Sequence, residues 1–89
     1  MEIAKSFTIR NILGLHARAA AAFVKVTNRY RSDILVCKDA MSVNGKSIMG
    51  VLMLAASKGT EIDVKASGDD AEEAIEALGQ LIEDKFGEE

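Results

Sequence analysis

Eighty-nine residues, 48% apolar and 28% charged, leave room for one hydrophobic core and describe an ordinary globular domain over 1–89, not a disordered chain. A single cysteine, Cys37, excludes an internal disulfide and a zinc cluster, no apolar run approaches the ~18 residues of a membrane span, and residues 1–6 are too polar for a signal peptide, so a cytoplasmic setting is expected. The net charge of −3 argues against nucleic acid as a partner, but residues 1–31 carry six basic groups against Glu2 and residues 66–89 nine acids against Lys85, so a basic N-terminal third could steer an anion or an acidic partner.

Ile3, Phe7 and Ile9 alternate with Ala4, Ser6 and Thr8, predicting a strand over 2–9 whose apolar side is broken at Lys5, as an edge allows. Asn11-Ile12-Leu13-Gly14 reads as a loop. An alanine-rich helix over 17–29 follows, with Ala20, Phe23, Val24 and Thr27 at core-facing spacing and Arg18, Lys25 and Arg29 on a solvent stripe. Residues 33–37, rich in β-branched side chains, make a second strand and residues 41–43 a brief third. Asn44-Gly45 is a turn, and Ser47 is placed to N-cap a short helix over 48–57, with Gly59 where its C-terminus wants a left-handed residue. Residues 61–66 alternate as a strand with one wet face, and Asp69 with Glu72 resembles a capping box opening the last helix. In that helix Ala71, Ala74, Ile75, Leu78, Ile82 and Phe86 repeat at helical spacing. The order β-α-β-β-α-β-α predicts an α+β, two-layer open-faced sandwich: a four-stranded antiparallel sheet covered on one face by three helices.

Chemistry converges on His16, the one histidine, where a loop becomes a helix. The first helical turn offers unpaired backbone N–H groups and the positive end of the dipole, and Arg18 adds a planar fork of donors suited to phosphoryl oxygens. A nucleophilic imidazole, an anion-stabilising helix start and a guanidinium within three residues form a coherent phosphoryl-transfer site. No spacing supports a hydrolase triad, no Gly-rich nucleotide loop is present, and neither a metal nor a cofactor is expected.

Gly14-Leu15-His16-Ala17-Arg18-Ala19-Ala20 resembles the active-site segment of HPr, the histidine-containing phosphocarrier family of the phosphoenolpyruvate-dependent sugar phosphotransferase system, and Asn44-Gly45-Lys46-Ser47-Ile48-Met49-Gly50 resembles its second signature, around a regulatory serine. The resemblance spans essentially the whole chain. It implies that His16 accepts a phosphoryl group on Nδ1 from phospho-enzyme I and passes it to the A domains of sugar permeases, with Arg18 beside it and the Ala17 and Arg18 backbone N–H groups on the phosphate. The protein would then be a covalent phosphohistidine carrier, monomeric, and not a stand-alone enzyme. It further implies Ser47 as a regulatory phosphorylation site, with an HPr kinase and a transcription regulator as partners in part of the family. One departure is Ala19, where the family usually has proline; alanine is a good helix former there but a less preorganised one.

The second helix shows no polar side before Ser57. With Val51, Leu54 and Ala55 turned to the sheet, Ile48, Met49, Leu52 and Met53 would remain as an exposed patch, and exposed apolar patches rich in methionine serve as docking surfaces. In HPr-like proteins this helix lies beside the active histidine, so the patch, with Lys25 and Arg29 at its basic rim, is the expected contact for enzyme I and permease domains. Cys37 reads as a small hydrophobe in a strand, without function. The competing readings are a paralogous carrier in a regulatory or nitrogen-related chain and a regulatory module controlled through Ser47; the intact His16–Arg18 pair disfavours the second.

Overall fold

The computed structural model describes residues 1–88; Glu89, the end of the expected domain, lies outside the described residues. Among the described residues the chain forms β1 (Glu2–Thr8), α1 (Ala17–Thr27), β2 (Asp33–Lys38), β3 (Met41–Asn44), α2 (Ile48–Met53), β4 (Glu61–Ser67) and α3 (Ala71–Glu83), followed by a 3₁₀ turn at Lys85–Gly87. The strands lie in the order β1-β4-β2-β3, each neighbour antiparallel. The expected two-layer architecture holds.

The alternation of β4 explains the layering. Ile62, Val64 and Ala66 point into the core and are fully buried, while Glu61, Asp63 and Lys65 point to water. In register, Phe7 of β1 faces Ile62 and Val36 of β2 faces Val64, so one apolar surface crosses the sheet. α3 covers β1 and β4 with Ala71, Ala74, Ile75, Leu78 and Ile82, and α1 packs on α2 and α3 with Ala20, Phe23, Val24 and Thr27 buried. Burying one such large side chain contributes about 1.5–3 kcal/mol. The opposite sheet face is open and polar, with Ser6 bonded to Asp63 and Lys65 paired with Glu2 at 3.5 Å. Cys37 sits half-buried on this open face, 3.2 Å from the Ser42 hydroxyl, and not in the core.

Several expected boundaries move, each for a tertiary reason. α1 ends at Thr27 instead of residue 29: the Thr27 hydroxyl donates to the Gly45 carbonyl at 2.8 Å, and Arg29 and Tyr30 close with tighter three-residue bonds. α2 stops at Met53 and not at residue 57. Leu54 and Ala55 also close with three-residue bonds, Ala55 turns left-handed (φ 50°), and the Lys38 ammonium caps the Leu54 carbonyl at 3.0 Å. The left-handed residue after the helix is therefore Ala55, while Gly59 (φ 90°) serves the turn into β4. The expected Asp69–Glu72 capping box does not form. Asp70 is the N-cap of α3 and makes no cap bond; its carboxylate instead accepts from the Arg31 and Ser32 N–H groups, both at 2.9 Å, and from the Ser32 hydroxyl. Phe86 is buried as its spacing predicts, but from a left-handed turn beyond the end of α3.

Candidate functional site

The loop between β1 and α1 is shaped from within. Asn11 is completely buried and its side-chain amide donates to the Gly14 carbonyl at 2.8 Å, closing a turn that Gly14 completes with φ 68°. The next N–H, that of Leu15, donates to the Ala56 carbonyl at 2.8 Å, pinning the loop to the segment after α2. His16 follows as the extended N-cap of α1 (φ −77°, ψ 179°). Its side chain makes no cap bond, while its carbonyl accepts the first intrahelical bond, from Ala20 N–H at 2.8 Å. The imidazole therefore projects from the helix start. Ala17 and Arg18, the first two residues of the helix, belong to the first turn, whose N–H groups have no partner inside a helix. Ala19, in the position of the family's proline, is buried in that same turn and the helix begins regardless.

One ring nitrogen is engaged. His16 Nε2 lies 2.6 Å from a carboxylate oxygen of Glu88, whose other oxygen accepts from Asn11 Nδ2 at 3.0 Å. The Asn11 bond first and the His16 bond second hold the Glu88 carboxyl below its ordinary value, with the nearby His16 and Arg18 charges adding to the effect and partial burial opposing it. An ionised carboxylate only accepts, so Nε2 carries the proton in this contact. Nδ1 has no hydrogen-bond partner among the described residues. Glu88 also lines an open recess of about 510 Å³, together with Ile12, Leu13, Arg18 and Gly87. An imidazole whose Nδ1 has no partner among the described residues, at a helix start with a guanidinium on the rim of a recess, is equipped for nucleophilic attack on phosphorus when the ring is neutral.

The remaining candidate residues lie as follows. Ser47 caps α2, accepting from Gly50 N–H at 3.0 Å. Ile48, Met49 and Met53 are exposed, Met49 to 68%, whereas Leu52 is half-buried against the core and Ala55, expected to face the sheet, is exposed. Lys25 is exposed in the last turn of α1, and Arg29 is exposed in the turn after it. Two groups escaped the sequence reading. Ile12 and Leu13 expose large apolar side chains on the recess shared with Arg18 and Glu88, and two apolar residues inside a polar loop were the available signal. Glu88 carried no signal, because 72 residues separate it from His16.

A family model described as PTS HPr component phosphorylation site matches residues 3–84. The chain belongs to the HPr phosphocarrier family. The phosphocarrier protein HPr of Neisseria meningitidis is 49% identical over 84 residues, 94% of either chain. The HPr-like protein Crh of Bacillus subtilis is 46% identical over 77 residues, covering 86% of this chain and 91% of Crh. Among solved structures, HPr-C-His from Thermoanaerobacter tengcongensis superposes with a TM-score of 0.94 at 50% identity, covering 98% of each chain. No helix among the described residues is long and apolar enough to cross a membrane, and no cluster of potential metal ligands occurs among them.

Proposed function

We propose that this HPr-family chain, a single domain over 1–89, is a phosphocarrier that takes a phosphoryl group on His16 from phospho-enzyme I and delivers it to the A domains of sugar permeases. The observation that carries the reading is the set of contacts of His16: Nε2 is bonded to Glu88, Nδ1 has no partner among the described residues, and the ring stands at the start of an eleven-residue helix beside Arg18. The arriving phosphoryl oxygens would meet the N–H groups of Ala17 and Arg18 and the Arg18 guanidinium, all donors, which suits a group whose charge spreads over its oxygens during transfer. Docking falls to the exposed Ile48, Met49 and Met53, with Lys25 and Arg29 supplying the basic rim. A carrier meeting successive partners needs weak, rapidly reversed contacts, which a small patch supplies. The protein acts as a cytoplasmic monomer.

Incubation with phosphoenolpyruvate and enzyme I, followed by intact mass, tests this directly. The chain gains one acid-labile, base-stable phosphoryl group, and His16→Ala, with an unchanged fold, gains none. Uptake by the His16 variant would refute the assignment. The similarity to Crh favours a second reading, regulation through Ser47. It would be preferred if the wild-type chain took no phosphoryl group from enzyme I but accepted one on Ser47 from a protein kinase.

A further inference from the structure

The contact between Glu88 and His16 is made by an unusual stretch of backbone. Lys85 and Phe86 both adopt φ of 56°, the left-handed region that residues bearing side chains enter at a penalty, and Gly87 follows at 76°. Buried Phe86 anchors the turn, which brings Glu88 back across the start of α1. There the carboxylate is gripped on both oxygens, by Asn11 Nδ2 at 3.0 Å and His16 Nε2 at 2.6 Å. Its side chain is only 14% exposed. Asn11 cannot rotate freely to release it, because the same Nδ2 also donates to the Gly14 carbonyl at 2.8 Å.

We infer that Glu88 is a positioning residue for phosphoryl transfer: held by Asn11, it keeps the proton of neutral His16 on Nε2 and leaves the lone pair on Nδ1, the free atom. The proton's location follows from the hydrogen bonds; what Nδ1 then does rests on the phosphocarrier reading. In the transfer step the Nδ1 lone pair forms the new N–P bond while the bond between phosphorus and the donor's leaving atom breaks, its electron pair returning to the donor. No proton changes place. Because Nε2 keeps its hydrogen, the ring becomes a phosphoimidazolium, and its positive charge faces the Glu88 carboxylate. Which nitrogen of a histidine reacts is set by what the other one bonds, and here that partner is Glu88.

Glu88→Gln is the decisive variant. Its carbonyl oxygen takes the Asn11 bond, which turns the amide NH₂ toward His16 Nε2. That nitrogen must then accept, and the ring proton is driven to Nδ1. Multiple-bond ¹H–¹⁵N correlation spectra of the full unphosphorylated chain, at a pH where the ring is neutral, report the tautomer without any transfer partner. The wild type is expected as Nε2–H and Glu88→Gln as a mixture enriched in Nδ1–H. In phosphoryl uptake from phospho-enzyme I, kcat should fall about tenfold in the variant with KM unchanged. Glu88→Asp, which keeps an acceptor-only group, should retain the wild-type tautomer and recover most of the rate. An unchanged tautomer in Glu88→Gln, or a shifted tautomer with unchanged kcat, overturns the inference. A shifted tautomer in a chain whose wild type takes up no phosphoryl group upholds the proton placement and refutes the phosphocarrier reading instead.

Discussion

Gly14 and Gly59 offer a matched pair of perturbations that separates backbone conformation from packing at the site. Both have positive φ, 68° and 90°. A Cβ added at Gly14 would meet the Ala56 carbonyl oxygen at 2.5 Å and Ser57 Cα at 2.8 Å, whereas at Gly59 it would meet nothing within 4 Å. Alanine at either position incurs the left-handed penalty of about 1–2 kcal/mol. The stiffer unfolded chain returns roughly 0.4–1 kcal/mol of that. Only at Gly14 must two backbone segments part, and the bond between them is Leu15 N–H to Ala56 O, 2.8 Å long, worth about 0.5–1.5 kcal/mol. Gly14→Ala should therefore cost about 2 kcal/mol and Gly59→Ala ~1 kcal/mol or less. At about 4–8 °C per kcal/mol for a domain of this size, thermal melts followed by circular dichroism should fall by roughly 8–16 °C and by less than about 8 °C. Leu15 precedes His16, so Gly14→Ala should also slow phosphoryl uptake while Gly59→Ala leaves it intact. Equal losses of Tm in the two variants would refute the view that the Gly14–Ala56 approach positions the active loop.

Asp70 should govern stability in acid. Its carboxyl is lowered from 3.8 to about 2, chiefly by the Ser32 hydroxyl and then by the Arg31 N–H, so its contribution is complete above the unfolded value and is lost as pH falls from about 4 toward 2. Asp70→Asn should be the less stable protein at neutral pH, with the gap closing across that window in pH-resolved urea titrations; a gap constant with pH would contradict the clamp. Ser47→Ala removes the bond to Gly50 N–H and should cost ~1 kcal/mol, seen in the same titrations. Ser47→Asp keeps an acceptor at that cap and should melt normally, yet slow transfer from enzyme I by placing a charge beside Ile48 and Met49; an early melt with normal transfer would reduce Ser47 to a structural cap. Met49→Asp should weaken docking about tenfold or more, whereas Lys25→Glu or Arg29→Glu should mainly slow association and blunt its salt dependence. Transfer kinetics indifferent to Met49→Asp would move the contact surface elsewhere.

Local pattern alone was enough for the elements, their order and the position of His16. Alternation at Ile62, Val64 and Ala66 and helical spacing at Ala74, Ile75, Leu78 and Ile82 are periodicities that burial then enforces, so sequence and structure agree wherever one side of an element meets one core. The hydroxyl of Ser47 and the carbonyl of His16 act within a few residues of themselves, and such short-range bonds are equally legible. The ends of the helices were not. α2 stops short where Ala55 turns left-handed, in a segment held from outside by Leu15 N–H on Ala56 O and by the Lys38 ammonium on Leu54 O, partners 41 and 16 residues away whose approach no local propensity encodes. The capping box at Asp69 gave way for the same reason, with the neighbouring Asp70 turned to Arg31 and Ser32 on another element. Most of all, the proton on His16 was invisible. A histidine in a sequence has two ring nitrogens that can carry its hydrogen, and only the tertiary return of Glu88 through a strained turn, fixed by buried Asn11, gives one of them its partner.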